Sequence, residues 1–454
     1  MFLWLEQFIN LERGQRPKSF LLERMEFLTE LAGHPERCAP SIHIAGSKGK
    51  GSVTGMLTAM LTAAGFRAAR YMSPHVIDIR ERICLGDSYF SEEVYCSAGD
   101  ELRHITEELL PAAGNPLFDT TDSSGCEPTF WELLTLLFFL CARQANCDVM
   151  VVETGMGGRL DSTNVLDPLV SVITLIELEH TAILGDTIAK VAGEKAGIIK
   201  NGKPLVLAKQ SDEALEVFRK KAKEKNSPLV YFPEIAELSN IKITSQGTVF
   251  TLSIPHFSFL VSHFSFAVPI PGKVQAENVA LAITALKTAF PQISEYTIRY
   301  GLANFFIPGR FEKIKEEPSF IIDGAHTPES LALCMETFCS LYGEGGILLF
   351  GCAADKDAAA MAMIAHSHFS KIIITTPGIF KASSPAHVYE AFVKTAGQEK
   401  VLLVKDTQEA IKLAMDFACD KKLVSGSSLP GSLLPVLGTG SFYLVSEIRK
   451  YICS

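Results

Sequence analysis

The 454 residues exceed what a single hydrophobic core ordinarily organises, so two domains are expected. With 47% hydrophobic, 20% charged and 9% aromatic residues, the composition is that of a globular enzyme and excludes large-scale disorder or a fibrous protein. A formal net charge of −9 gives no general attraction for nucleic acid or an anionic membrane, and eleven cysteines, an odd number without a C-x-x-C pair, argue against a disulfide framework or zinc ribbon and for a reducing cytoplasm.

In chain order, Met1 to Asn10 has Glu6 inside its apolar residues and neither a basic start nor a small-residue cleavage site, so no signal peptide is expected there. From Ser41 onward short apolar runs alternate with helical periodicity, the pattern of a parallel sheet covered by helices. Strands are predicted at Ile42 to Ala45, Ala68 to Tyr71, Val149 to Glu153, Val170 to Leu175 and Leu205 to Leu207, several of them apolar on both faces as central parallel strands are. Leu133 to Ala142, between Glu132 and Arg143, is far too short to span a bilayer and reads as a buried helix. Between Pro228 and Pro269 the pattern becomes alternating, as in Val249 to Ile254 and Phe259 to Phe266, which predicts a small antiparallel patch closed by a helix over Ala276 to Thr288. A second series follows, with strands predicted at Phe320 to Ile322, Ile347 to Phe350, Ile372 to Thr375 and Val401 to Val404, and helices at Pro328 to Cys339 and Thr407 to Ala418. Pro308-Gly309 breaks the pattern between the two series, and Ser425 to Pro435 reads as a surface loop. The expected class is α/β, with domains over residues 1–304 and 305–454.

The sharpest local signal is Ser41-Ile42-His43-Ile44-Ala45-Gly46-Ser47-Lys48-Gly49-Lys50-Gly51-Ser52, an apolar strand, a glycine-rich turn and a helix start. Such a turn points backbone N–H groups at phosphate oxygens, the helix adds its positive end, Lys50 brings a charge and Ser52 a hydroxyl for Mg²⁺. Gly51 between lysine and serine departs from the usual spacing, and a basic turn in a Rossmann-like domain is the alternative. Glu153 ends an apolar strand, the edge where open α/β sheets place ligands, and is the candidate carboxylate for Mg²⁺ rather than a plain rim residue.

Gly46 to Ser52 resembles the G-T-N-G-K-G-S loop of the folylpolyglutamate synthase/dihydrofolate synthase family, within the Mur ligases. Ser73-Pro74-His75, Glu153 to Asn164 (E-T-G-M-G-G-R-L-D-S-T-N), Gly193 to Ile198, Pro308-Gly309-Arg310-Phe311, Asp323 to Pro328 and Asp355-Lys356-Asp357 match that family in order. The resemblance implies a P-loop, Mur-ligase-type ATPase domain followed by a smaller Rossmann-like α/β domain. It also implies an ATP-dependent ligase that phosphorylates a pteroate or folate carboxylate and passes the acyl phosphate to the amine of L-glutamate. With the phosphate loop near residue 46, no room is expected for the extra N-terminal domain of the cell-wall branch, which argues for the folate branch. A related ligase on another acid, or an inactive nucleotide-binding paralogue, is the alternative reading.

By this resemblance Gly49, Lys50, Gly51, Ser52, Asn278, Arg310 and Asp323 bind ATP. Ser52, Ser73 and Glu153 hold one Mg²⁺; His180 and Lys195 hold a second, Lys195 as a carbamate that turns a cation into an anion. Lys50, Lys195, His180 and Arg310 are the candidate catalytic residues, with Arg310 a clamp borne on the hinge. Phe130, Arg159, Asp161 and His326 are candidates for substrate binding, although Phe130 opens an apolar helix and His326 also suits a packing role. Read locally, His180 fits a structural histidine and Lys195 a surface lysine. A monomeric cytoplasmic enzyme with small-molecule substrates and no nucleic-acid or membrane partner is expected. Departures from the family pattern fall at Lys48, Glu179, Thr327, Ala354 and Lys381, and they bear on the amine substrate more than on ATP.

Overall fold

The computed structural model describes residues 1–10, 13, 15, 20–118, 127–254, 264–378, 381–420, 423 and 433–453. The larger sheet contains β1 (Ser41–Ala45), β2 (Ala68–Tyr71), β3 (Ile83–Leu85), β4 (Ser88–Tyr89), β5 (Val149–Glu153), β6 (Val170–Ile173), β7 (Leu205–Leu207) and β8 (Leu229–Tyr231), in the order β4-β3-β2-β5-β1-β6-β7-β8. Six of these strands are parallel, and β3 and β4 form an antiparallel hairpin at one edge. Val149 and Val151 of β5 enter one apolar core while Met150 and Val152 enter another, so the period of two feeds both faces of a covered sheet. The helix Lys50–Ala63 covers one face with Lys273–Ala289 and Glu295–Ala303; Phe130–Gln144 covers the other. Thr129 starts Phe130–Gln144 with a capping box, accepting from Glu132 N at 3.2 Å while Glu132 Oε2 accepts from Thr129 N at 2.7 Å.

The predicted strand over Val170 to Leu175 ends at Ile173, because the Leu175 carbonyl leaves the ladder to accept the amides of Ser47 and Lys48 at 2.9 and 3.2 Å. The alternating region becomes a three-stranded antiparallel sheet, β11-β10-β9, from β9 (Glu237–Thr244), β10 (Gly247–Ser253) and β11 (Phe264–Val268). Residues 259–263 of the predicted run lie outside the described residues.

The second sheet contains β12 (Glu312–Lys315), β13 (Phe320–Ile322), β14 (Gly346–Phe350), β15 (Phe369–Ile374), β16 (Val401–Leu403) and β17 (Val436–Thr439), ordered β12-β13-β17-β14-β15-β16. All four predicted strands form. β17 was not anticipated: it is four residues long and carries Gly438, which a strand pattern disfavours. That glycine is demanded by packing, since a Cβ there would lie 2.5 Å from Ile448 Cδ1. Most of the predicted loop over Ser425 to Pro435 lies outside the described residues. Among the described residues no helix is long and apolar enough to cross a membrane.

Candidate active site

The loop after β1 is shaped by glycines in conformations other residues avoid. Gly46 and Gly49 have φ of 148° and 86°. A Cβ at Gly46 would fall 1.8 Å from Thr174 Oγ1, and one at Gly49 2.5 Å from Asn278 Oδ1, so neither position tolerates a side chain without rearrangement. The helix Lys50–Ala63 then begins with no side-chain cap, which leaves its first N–H groups free to meet an anion. Lys50 Nζ donates to Gly46 O at 2.9 Å and stands 4.0 Å from Glu153 Oε1.

Glu153 sits at the end of β5 with 3% of its surface exposed and accepts from Ser73 N at 3.3 Å. Burial pushes its carboxyl up to about 7, against the opposing attraction of Lys50. Ser52 is buried in the same corner, and a Cβ on Gly51 would touch Glu153 Oε2 at 3.5 Å. These are hard oxygen donors, the kind that suit Mg²⁺. The raised carboxyl also has a stability consequence. Its folded value lies above the ordinary 4.5, so its contribution is complete below pH 4.5 and is lost as pH rises through about 7. Glu153→Gln, which cannot ionise, is expected to raise Tm over wild type at pH 8 and not at pH 4.5, while abolishing turnover. The gain is on the order of 3 kcal/mol, from about 1.4 kcal/mol per pKa unit. Equal Tm values at pH 8 in a thermal-shift series would refute the desolvation argument.

Lys195, at the end of the helix Ile188–Lys195, is 1% exposed; its Nζ donates to Gly46 O at 2.8 Å and to Glu179 Oε1 at 2.6 Å. Burial brings its ammonium down to about 8 despite Glu179. Burial would raise Glu179, but Lys195 and Lys50 outweigh it and hold that carboxyl at about 2. Glu179 is thus part of the site, more than a changed neighbour of His180. His180 is exposed at the rim with a left-handed φ of 46°.

Arg310 reaches the phosphate loop from the other side. Its Nη2 lies 3.9 Å from where a Gly51 Cβ would stand, and its guanidinium stacks over Phe442 at 4.3 Å. Burial lowers its pKa, opposed by Asp323 and then Glu153. The turn that presents it is unusual: Gly309 and Phe311 have φ of 69° and 44°. A left-handed aromatic residue is strained and needs a restraint. Asp323 supplies it, accepting from Phe311 N through Oδ2 and from Ala325 N through Oδ1, both at 2.8 Å. Asp323 therefore holds the turn that carries Arg310 as well as lining the cavity. His326 Nδ1 donates to Gly324 O at 2.8 Å, which assigns its proton and leaves Nε2 as the acceptor; burial lowers the ring to about 3. Asn278 Nδ2 donates to Gln275 Oε1 at 3.2 Å beside Gly49.

Most of these groups line one cavity of about 1770 Å³, which also reaches β9 of the three-stranded sheet. Lys50, Ser52, Ser73, Glu153, Asp161, His180, Asn278, Arg310, Asp323 and His326 all border it; Phe130, Arg159 and Lys195 do not. Phe130 is 2% exposed in the core, and the next residue, Trp131, lines the cavity instead, with the Arg82 guanidinium 5.0 Å from its ring. Consecutive helical residues point about 100° apart, so only one of two neighbouring aromatics can face the cavity. Arg159 turns outward to pair with Glu194 at 2.9 Å. Asp161 spends its oxygens on Met156 N, Thr163 N and Thr163 Oγ1, fixing the turn that follows β5.

Comparisons with known proteins cover both halves of the chain. Residues 104–286 match the Mur ligase middle domain and residues 309–427 the Mur ligase, glutamate ligase domain. The chain is 33% identical over 440 residues to the dihydrofolate synthase/folylpolyglutamate synthase of Bacillus subtilis, covering 94% of each. It is 31% identical to the folylpolyglutamate synthase of Lacticaseibacillus casei, covering 94% of this chain and 93% of that one. Among solved structures it resembles Mycobacterium tuberculosis folylpolyglutamate synthase complexed with ADP, at a TM-score of 0.86 and 27% identity over 100% of this chain and 97% of that one. An FPGS–AMPPCP–folate complex gives a TM-score of 0.82 at 28% identity over 100% and 98%.

Proposed function

Because the chain belongs to the dihydrofolate synthase/folylpolyglutamate synthase family of Mur ligases, we propose that it joins glutamate to a pteroate or folate carboxylate through an acyl phosphate, with ATP as phosphoryl donor. The observation that carries this reading is the meeting, in one cavity, of a phosphate loop, a buried carboxylate and an arginine from the far side. Residues 1–304 act as the ATP-binding domain and 305–454 as the domain that closes on it. A carboxylate resists an amine because it is anionic and resonance-stabilised; phosphorylation makes one oxygen a leaving group. The N–H groups of Gly49 to Ser52 cradle phosphate oxygens, Lys50 and Arg310 neutralise charge on the transferring group, and Asn278 borders the nucleotide. Ser52, Ser73 and Glu153 would hold Mg²⁺, which when bound would neutralise phosphate charge.

For a second cation the relevant pair is Lys195 and Glu179. As an ammonium, Lys195 is already satisfied by Glu179 and Gly46 O. As a carbamate it would set two anions together, an arrangement that is stable only around a cation, with His180 as a further donor. Lys195→Ala should lose turnover by at least the roughly 10²-fold typical of a lost charged group at such a site, with partial rescue by added short-chain carboxylic acids. Intact-mass measurement under CO₂, with a gain absent from the variant, checks the modification; full activity of Lys195→Ala would refute the role.

The ligase reading is tested with purified protein, ATP, folate or dihydropteroate, and L-glutamate. ADP release is expected only when all are present, with a product heavier by one glutamyl residue. ADP release that ignores the pterin substrate or glutamate would assign the site to another acid or amine.

A further inference from the structure

Two opposite charges on the cavity wall, Lys48 and Glu177, make no direct ion pair with each other. Lys48, inside the phosphate loop, is half-buried, and among the described residues its ammonium has neither a hydrogen-bonded partner nor an ion pair. Glu177 is half-buried on the neighbouring segment, and its Oε2 is enclosed with no hydrogen-bond donor. The two segments are tied together by the bridge between Lys48 and Leu175 and by Ser47 Oγ donating to Glu177 O at 2.9 Å. Lys48 lies in the field of Glu179 first and of Glu177 second, and Glu177 in that of Lys48, yet among the described residues neither carboxylate forms an ion pair with Lys48. From the second domain, Lys356 and His326 lie in the field of Lys48, and Glu329 in that of Glu177.

Enclosing a carboxylate oxygen without a donor forfeits its solvation with nothing in return, so such a group calls for a hydrogen-bond donor or a cation. A fixed anion beside a fixed cation, both on a cavity wall, is complementary to a zwitterion. We infer that Lys48 and Glu177 form the seat of the incoming α-amino acid, Lys48 receiving its α-carboxylate and Glu177 its ammonium. This rests on the ligase reading above all, and it adds the residues that select the amine. Lys48 precedes Lys50 by two residues in the same loop, so a molecule seated on Lys48 lies next to the phosphate site.

The test separates activation from ligation in the full chain. With ATP, folate and hydroxylamine but no glutamate, the small nucleophile attacks the acyl phosphate, forms a C–N bond and expels inorganic phosphate, so hydroxamate reports activation alone. Lys48→Asn and Glu177→Gln are expected to make hydroxamate at close to the wild-type rate. Both should raise KM for glutamate by roughly tenfold or more, the loss expected for one charge-assisted hydrogen bond, with little change in KM for ATP. The two variants alter different segments, so either one alone carries the test if the other does not fold. Unchanged KM for glutamate overturns the assignment. Loss of hydroxamate with a raised KM for ATP overturns it too, and makes Lys48 a nucleotide residue. A wild-type protein that forms no hydroxamate with folate or dihydropteroate fails at the earlier step, overturning the ligase reading and this seat with it.

Discussion

Replacing Lys50 by alanine is expected to remove catalysis and leave the protein folded. Among the described residues the ammonium makes one hydrogen bond, to Gly46 O, and approaches Glu153 no closer than 4.0 Å. It is not in the apolar core of its helix, which is carried by residues such as Val53, Met56, Leu57 and Met60. Its work begins when phosphate arrives between the loop and Arg310. A charge aimed at the transferring group in an enclosed site contributes on the order of 10²–10³-fold to kcat, or roughly 3–4 kcal/mol. Tm should shift little, because the loop is held by Gly46, Gly49 and the Leu175 carbonyl rather than by this side chain. Turnover and thermal unfolding measured on the same preparation decide the matter: undiminished kcat would dismiss the phosphate role, and a collapsed Tm would make it structural.

Arg310→Ala should depress kcat far more than it weakens ATP binding. The side chain stands on a turn strained at Phe311 and restrained by Asp323, and it reaches Gly51 across the cavity. Its reach to the loop depends on the relative position of the two sheets, so a small opening between them would withdraw the cation from the phosphates. A contact completed on closure stabilises the transition state more than the ground state. A loss on the order of 10²-fold or more in kcat is expected, against a few-fold change in the ATP Kd from equilibrium titration. Asp323→Asn should mimic part of this, since it weakens the restraint on the turn and removes the carboxylate charge that acts on the guanidinium. Equal losses in kcat and Kd would make Arg310 a ground-state binding residue, and no loss in either would remove it from the site.

The features legible in the chain are those that short segments define. The strand, glycine turn and helix start from Ser41 to Ser52 are contiguous, and so is the strand that ends on Glu153. Their chemistry follows from local geometry that only glycine at positions 46 and 49 permits. Strands apolar on both faces announced a covered parallel sheet, and β1, β2, β5 and β7 formed within a residue of where the pattern set them. What the chain order does not encode is which distant segments become neighbours. Phe320 pairs with Val436, placing an unanticipated strand in the middle of the second sheet. Direction of side chains was equally hidden: Trp131 and not Phe130 borders the cavity, Arg159 turns out to Glu194, and Asp161 and Asp323 hold turns. Lys195 met Glu179 and Gly46, and Lys48 was left beside Glu177, only once separate loops gathered at the same edge of the sheet. Residue types and spacing determine the local geometry and chemistry a segment can offer; burial, and therefore which charges are shifted, matched or left open, is decided by packing between segments far apart in the chain.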